Sequence, residues 1–134
     1  MADTVTSQTI QDGDKIAVMK ITNACDGSGE SAVKKVDVSA LNANSLGQSC
    51  TSVTISRIYW ACVGMRVNIE FDASTNVLAM PLPADSPGDE YYDLFTGIPN
   101  NAGSGVTGDI DFTTVGHSDG DAYSIILVLT KIYG

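Results

Sequence analysis

Apolar and polar residues alternate most regularly between residues 52 and 72. Val67, Ile69 and Phe71 share one parity, with polar residues between them, and this period-two pattern is typical of a half-buried strand. In the first half of the stretch the apolar parity switches at Ser56, where a β-bulge would exchange the two faces without ending the strand. The stretch therefore predicts two strands, the first of them bulged.

Gly64 separates those two strands. A glycine accepts the backbone angles of a tight reversal, and Trp60, the single tryptophan of the chain, lies shortly before it. We therefore predict an antiparallel β-hairpin that carries Trp60.

Other strands are predicted from shorter runs bounded by Gly, Pro, Asp and Asn. Residues 4–10 predict a short edge strand, and residues 76–80 predict a brief strand that ends at Pro81. Residues 15–22 carry apolar side chains on both faces, which predicts burial on both sides of the sheet. Residues 122–133 are also apolar on both faces, so this strand is either central in a sandwich or part of a subunit interface.

A further strand is predicted at residues 32–38, after a flexible acidic loop. Its alternation places Val36 and Val38 inward. The basic pair, Lys34 and Lys35, is expected to be exposed in part and to be available for contacts with a partner.

A strand is also predicted at residues 107–114, with Ile110 and Phe112 inward and Asp109 and Asp111 outward. About eight short strands separated by turns indicate an all-β protein. We predict one antiparallel β-sandwich domain over residues 1–134, jelly-roll-like in its architecture. Residues 1–12 form either its edge strand or an extended arm.

Composition supports this class and excludes several partners. The chain has 134 residues, 43% of them hydrophobic, which suffices for a real core. The net charge is −9 and the isoelectric point is near 4.1, so no nucleic-acid partner is expected, because that needs a basic footprint. The acidic charge also disfavours anionic membranes, and no apolar run is long enough to span a bilayer. We therefore expect no membrane partner.

Three cysteines lie far apart in the sequence, at Cys25, Cys50 and Cys62. An odd number without an export signal favours free thiols. A Cys25–Cys50 disulfide is the alternative.

Catalytic and metal-binding patterns are weak. The single histidine, His117, has acidic neighbours but no nucleophile motif such as Gly-x-Ser-x-Gly. Acidic turns, for example at Asp119 and Asp121, do not match the calcium-loop pattern, and Asp and Gly also simply make turns. Calcium would be sought where two such turns meet. We predict no enzyme activity, no cofactor and no metal site.

The densest aromatic cluster consists of Tyr91, Tyr92 and Phe95. Such a cluster serves as a sugar-stacking platform or as a protein-binding hot spot. Core packing beneath a long loop is the structural alternative.

Three segments carry a resemblance to a known group of proteins: Asp26 to Leu41, Ile98 to Gly103, and Val106 to Leu127. Together they resemble small β-rich virion structural proteins of tailed bacteriophages. The likeness covers most of the chain and is one of overall pattern, without a catalytic signature.

The resemblance implies a capsid decoration (cement) protein that binds the outer shell and stabilises it. Its partner would be the major capsid protein, and it would be made in the host cytoplasm and located on the virion surface. A homo-oligomer, trimer or dimer, is expected at a capsid symmetry axis. A tail, neck or fibre protein and a carbohydrate-binding β-sandwich module are the alternatives. The expected contact residues are Val5, Ile10, Lys34, Lys35, Tyr91, Tyr92 and Phe95.

Overall fold

The structure is a computed structural model that describes residues 3–91 and 97–133. In this part of the chain it contains nine β-strands, one short 3-10 turn at Val38–Ala40 and no α-helix. The strands are β1 (Thr4–Asp12), β2 (Ile16–Ala24), β3 (Val33–Val36), β4 (Cys50–Val63), β5 (Arg66–Phe71), β6 (Val77–Leu82), β7 (Gly88–Tyr91), β8 (Ile110–Val115) and β9 (Ala122–Tyr133).

The strands form two antiparallel sheets that pack face to face. Sheet A has the order β1-β2-β9-β4-β7, and sheet B has the order β3-β8-β5-β6. From β2 onward most connections cross from one sheet to the other, and the resulting order is that of a jelly roll with β1 added at one edge. The predicted all-β, jelly-roll-like sandwich is confirmed.

One cluster of buried side chains fills the space between the sheets. The inward residues alternate along each strand, as the period of a half-buried strand requires. On β5 these are Val67, Ile69 and Phe71, all fully buried. Burial of this apolar surface is the main force that holds the two sheets together.

The predicted hairpin at residues 52–72 is wrong, although its two strands are present. Gly64 does adopt a left-handed φ of 77°, but it leads from β4 in sheet A to β5 in sheet B. The bulge is confirmed, because the register of β4 against β9 shifts between Ile55 and Arg57. Alternation identifies a strand, whereas it does not identify the strand that pairs with it.

The predicted final strand matches β9, which lies between β2 and β4 at the centre of sheet A. Its residues Tyr123, Ile125, Leu127 and Leu129 are buried in the core. The outward side chains of β2 and β9 are half-buried on average, and no further layer formed by residues 3–91 or 97–133 covers them. Burial of β2 on both faces was therefore predicted too strongly, whereas the subunit-interface alternative for β9 stays a prediction.

Two strands of the structure depart from the predictions near the prolines. Strand β6 continues through Pro81 to Leu82, since it is the edge of sheet B and needs no amide hydrogen on its free side. Strand β7 is not among the predicted strands, because Gly88, Asp89 and Glu90 are poor strand formers. The count is therefore nine strands instead of about eight.

Candidate functional site

The N-terminal strand β1 is an exposed sheet edge. It pairs along its length with β2 alone, and every residue from Thr4 to Gln11 is exposed. The predicted contact residues Val5 and Ile10 are 38% and 52% exposed. A bulge at Ile10 shifts the register after Thr9. Residues 4–12 are thus a paired edge strand, not a detached arm.

The other three sheet edges carry features that protect an edge from unwanted pairing. Strand β7 is four residues long and acidic, and its Asp89 carboxylate accepts two hydrogen bonds from Arg57 at 2.8 and 3.0 Å. Strand β3 is also four residues long, and β6 contains Pro81. By contrast, β1 is nine residues long and contains no proline, and no side chain from Thr4 to Gln11 is ionisable. Short length, charge and proline are the usual protective devices, so β1 is the edge that is open to strand addition.

The basic pair on β3 is split between the surface and the interior. Lys34 is exposed and forms an ion pair with Asp109 at 2.8 Å, and the hydrogen bond that Lys34 donates to that carboxylate raises the pKa of Lys34. Lys35 is buried, with 3% of its side chain exposed. The expectation that Lys35 contacts a partner is therefore wrong, because its ammonium group points into the protein.

The partner of Lys35 is Glu30, whose side chain is equally buried. The Lys35 Nζ donates to Glu30 Oε2. Tyr123 Oη and Asn23 Nδ2 donate to Glu30 Oε1 at 2.6 and 3.1 Å. Three donors on one carboxylate offset the cost of burying it.

The backbone holds this buried cluster in place. The amide of Glu30 donates to Thr114 Oγ1 at 2.8 Å, and the amide of Thr114 donates to the carbonyl oxygen of Glu30 at 2.9 Å. Asn23 Nδ2 also donates to Asp3 Oδ2 at 3.0 Å. The loop before β3 is therefore anchored to β8 and to the start of β1, although its sequence predicts a flexible acidic loop.

Burial of the Tyr123 hydroxyl and the neighbouring Glu30 carboxylate both change the pKa of Tyr123. Desolvation raises the pKa of the Tyr123 hydroxyl strongly, and the hydrogen bond to Glu30 raises it further. The phenol is therefore a permanent donor toward Glu30 at any physiological pH.

A second polar cluster covers the outer face of sheet B. Asp109 and Asp111 were expected to be exposed, but they are 4% and 3% exposed. They do face away from the core, and neighbouring loops and side chains cover them. Asn76 Nδ2 donates to Asp111 Oδ2 at 3.0 Å, whereas Oδ1 is buried without a hydrogen-bond partner. Burial, and then the adjacent Asp72 carboxyl group, raise the pKa of Asp111 to about 6.

Asp111→Asn is expected to stabilise the protein at pH 7. An unfolded aspartate has a pKa near 3.9, so the folded state holds more protons than the unfolded state between about pH 4 and 6. Stability should therefore rise as pH falls through this window, and the substitution should remove that slope. The expected gain at pH 7 is about 1–3 kcal/mol, measured by urea unfolding from pH 4 to 8. Asp119→Asn, at an exposed turn, is the matched control; a less stable Asp111→Asn protein would contradict the prediction.

The acidic turns do not form a metal site in the part of the chain described. No group of three or more His, Cys, Asp or Glu side chains there is placed to hold an ion. Two turns do meet at one end of the sandwich, where Cys25 and Asp121 join through a backbone hydrogen bond of 2.8 Å. Their carboxylates instead bind nearby backbone amides, as Asp121 does with Ser118 at 2.8 Å.

The histidine and the cysteines are placed as structural residues. Nδ1 of His117 lies 3.1 Å from Thr114 Oγ1, and its ring packs against Gly29. All three cysteines are buried and free, which confirms the free-thiol prediction. Burial raises the pKa of the Cys62 thiol to about 11, so it is protonated and a poor nucleophile.

The aromatic cluster at Tyr91, Tyr92 and Phe95 cannot be placed as a surface: Tyr92 and Phe95 lie outside the described residues, as does the side chain of Tyr91. Trp60 is buried, and its indole nitrogen donates to the carbonyl oxygen of Ser86 at 2.8 Å. The guanidinium group of Arg57 covers the ring of Tyr59, 4.5 Å from its centre. Neither Trp60 nor Tyr59 of β4 therefore adds support to the hypothesis of a sugar-stacking platform.

No helix within residues 3–91 and 97–133 is long and apolar enough to cross a membrane. Comparison with known proteins identifies no family: no family model matches the chain, and no curated protein matches it.

Solved structures with a similar arrangement are distant. A family 29 carbohydrate-binding module has a TM-score of 0.43 at 11% identity, covering 96% of this chain and 92% of its own. A cupin superfamily protein from Desulfitobacterium hafniense has a TM-score of 0.36 at 13% identity, covering 98% and 81%. KdgF from a Halomonas species has a TM-score of 0.35 at 5% identity, covering 96% and 81%. At these values the likeness concerns the β-sandwich class and carries no argument about function.

Proposed function

We propose that this protein is a non-enzymatic structural protein of a tailed-bacteriophage virion, a decoration protein that binds the outer shell. The proposal starts from the sequence resemblance, and one structural observation carries it further: the open edge of β1 beside three protected edges. A protein that only had to remain monomeric would gain from protecting this edge as well. An open edge is useful where a partner strand is to be added.

Strand addition to β1 would supply the contact with the shell. The backbone hydrogen bonds of an added strand give affinity, and side chains such as Val5 and Ile10 give specificity. The charge pattern suits this contact, because β1 presents no ionisable side chain before Asp12 in a chain of net charge −9. A partner strand therefore does not have to approach the acidic surface.

Many modest contacts would add up on a shell. Where several copies or subunits are linked, each later contact forms at a high effective concentration, so weak single interfaces give firm attachment. A protein that binds the assembled shell and not its separate subunits stabilises the shell. Lys34 remains a second candidate contact, since half of its side chain is exposed beside Asp109.

The copy number in purified virions tests the proposal. Quantitative mass spectrometry against the major capsid protein is expected to give one copy per capsid subunit or a simple fraction of it. A handful of copies would move the protein to the tail, neck or fibres. Absence from virions would refute the virion proposal, and a glycan-binding screen would then test the carbohydrate-binding alternative.

Val5→Lys is expected to weaken shell binding at least tenfold, because a lysine on an edge strand is a typical obstacle to pairing. Binding is measured by co-sedimentation with shells that lack the protein. Leu78→Lys on β6 is the matched control, since Leu78 is also an exposed aliphatic residue on an edge strand, 50% exposed. Equal binding by the two variants would exclude β1 as the contact.

A further inference from the structure

The buried cluster around Glu30 contains a lysine amine and an asparagine amide on the same carboxylate. Lys35 contacts Glu30 Oε2, and Asn23 Nδ2 lies 3.1 Å from Glu30 Oε1. All three residues are more than nine-tenths buried. Asn23 belongs to β2 in sheet A, and Lys35 belongs to β3 in sheet B. The two groups thus meet in the interior from opposite sheets.

We infer that this cluster forms an intramolecular isopeptide bond between Lys35 Nζ and Asn23 Cγ. The amine attacks the amide carbon, a C–N bond forms, and the C–N bond to Nδ2 breaks. The products are a secondary amide and one molecule of ammonia. Atoms balance without an oxidant, a reductant or a cofactor, because amide exchange is not a redox reaction.

Glu30 is the general acid–base of this step. Its Oε2 accepts a proton from Lys35, which frees the lone pair of the attacking nitrogen. The same carboxyl group then delivers that proton to the leaving Nδ2, which already lies against Oε1 and departs as ammonia, and the carboxylate takes up the second proton that the attacking nitrogen loses. Because the Glu30 carboxylate contacts both the attacking and the leaving nitrogen, the proton can pass between them without a second acid or base.

One further contact holds the amide of Asn23 in place. Asp3 Oδ2 accepts a second hydrogen bond from Asn23 Nδ2 at 3.0 Å, so two carboxylates hold the group that leaves as ammonia. Asn23 Oδ1 is buried and has no hydrogen-bond partner.

The surroundings favour reaction over hydrolysis. The Tyr123 ring, 2% exposed, lies beside Glu30 and packs edge-on against Phe112, with 5.8 Å between ring centres. A fixed, water-poor site raises the effective concentration of the two reacting groups and keeps water away from the carbonyl carbon. Folding itself therefore assembles the reactants, and the reaction occurs once per chain.

The bond would tie sheet A to sheet B without a disulfide. The three cysteines are all free, so it would be the covalent cross-link between the sheets within residues 3–91 and 97–133. It requires no oxidising compartment, because its formation does not change the redox state of any residue.

Intact-mass spectrometry of the purified full chain tests the inference. The expected mass is about 17 Da below the sequence mass, which is the loss of one ammonia. A protease digest is expected to contain a branched peptide that joins the segments of Asn23 and Lys35. Glu30→Gln and Lys35→Arg are expected to retain their full sequence masses. Lys34→Arg, which changes the neighbouring exposed lysine, is expected to lose the ammonia like the wild type.

Two outcomes would overturn the inference. The first is a full sequence mass and only linear peptides in the wild type after prolonged incubation at 37 °C; this test needs no variant to fold. The second is a mass loss that persists in Lys35→Arg, which would assign it to a reaction that does not involve Lys35, such as cyclisation of an asparagine with its own backbone. Neither outcome touches the virion proposal, which rests on copy number.

Discussion

Lys35→Ala is expected to lower the free energy of unfolding by about 3–5 kcal/mol. The substitution leaves the Glu30 carboxylate in the interior without its cation, with Tyr123 and Asn23 as its remaining side-chain donors. Removing one member of a buried ion pair costs far more than the pair itself contributes. Urea unfolding followed by Trp60 fluorescence measures the effect.

Lys34→Ala is the matched control for that experiment. Lys34 is the neighbouring residue on β3, but its ion pair with Asp109 is half exposed, so little change in stability is expected. A double variant, Lys35→Met with Glu30→Leu, should recover much of the loss, because it removes both charges. If Lys35→Ala proved as stable as Lys34→Ala, the buried ion pair would be refuted. The mass of each sample separates loss of the ion pair from loss of the cross-link.

Phe112→Ala is expected to destabilise the protein by about 3–5 kcal/mol. Phe112 is fully buried on β8 and packs edge-on against Tyr123 of the opposite sheet. The substitution leaves a cavity between the sheets. It also removes the side chain that packs against the ring of Tyr123, whose hydroxyl donates to Glu30. Thermal and urea unfolding measure the loss.

The matched control for Phe112→Ala is a substitution of Val115, which lies three residues further along β8. Val115 is 38% exposed, so Val115→Ala should change stability by no more than about 0.5 kcal/mol. A similar loss in both variants would mean that the effect comes from the strand as such and not from the core. In addition, the rate of ammonia loss in Phe112→Ala reports whether the Tyr123 contact supports the reaction at Glu30.

Local alternation was sufficient to predict most strands and the sandwich class. Strand β9 was predicted with its observed bounds, because twelve residues of apolar and β-branched character have no competing pattern. The bulge in β4 also followed from a switch in parity. Sheet membership did not follow, since β4 and β5 have the alternation of a hairpin but lie in different sheets.

The buried cluster was not predicted, because its members are unremarkable in sequence. Glu30 lies in a loop of Gly, Ser and Asp, and Lys35 follows another lysine. Parity gave no signal for it, because Lys34 and not Lys35 shares the parity of the inward Val36, whereas in the structure Lys35 is the buried lysine. A register shift of β3 against β8 between Lys34 and Val36 turns Lys35 inward. Only the folded structure shows that Asn23 and Tyr123 donate to the same carboxylate oxygen of Glu30.

The central position of β9 also determines when the protein can fold. Strands β2 and β4 do not pair with each other, because β9 lies between them and pairs with both. Strand β9 comes after the other eight in the chain, so a nascent polypeptide on the ribosome exposes the apolar inner faces of β2 and β4 until β9 has emerged. Such long-range pairing is slow and prone to aggregation. We therefore expect folding to begin only after β9 has emerged, with a dependence on chaperones that a circular permutant with β9 placed before β1 would reduce.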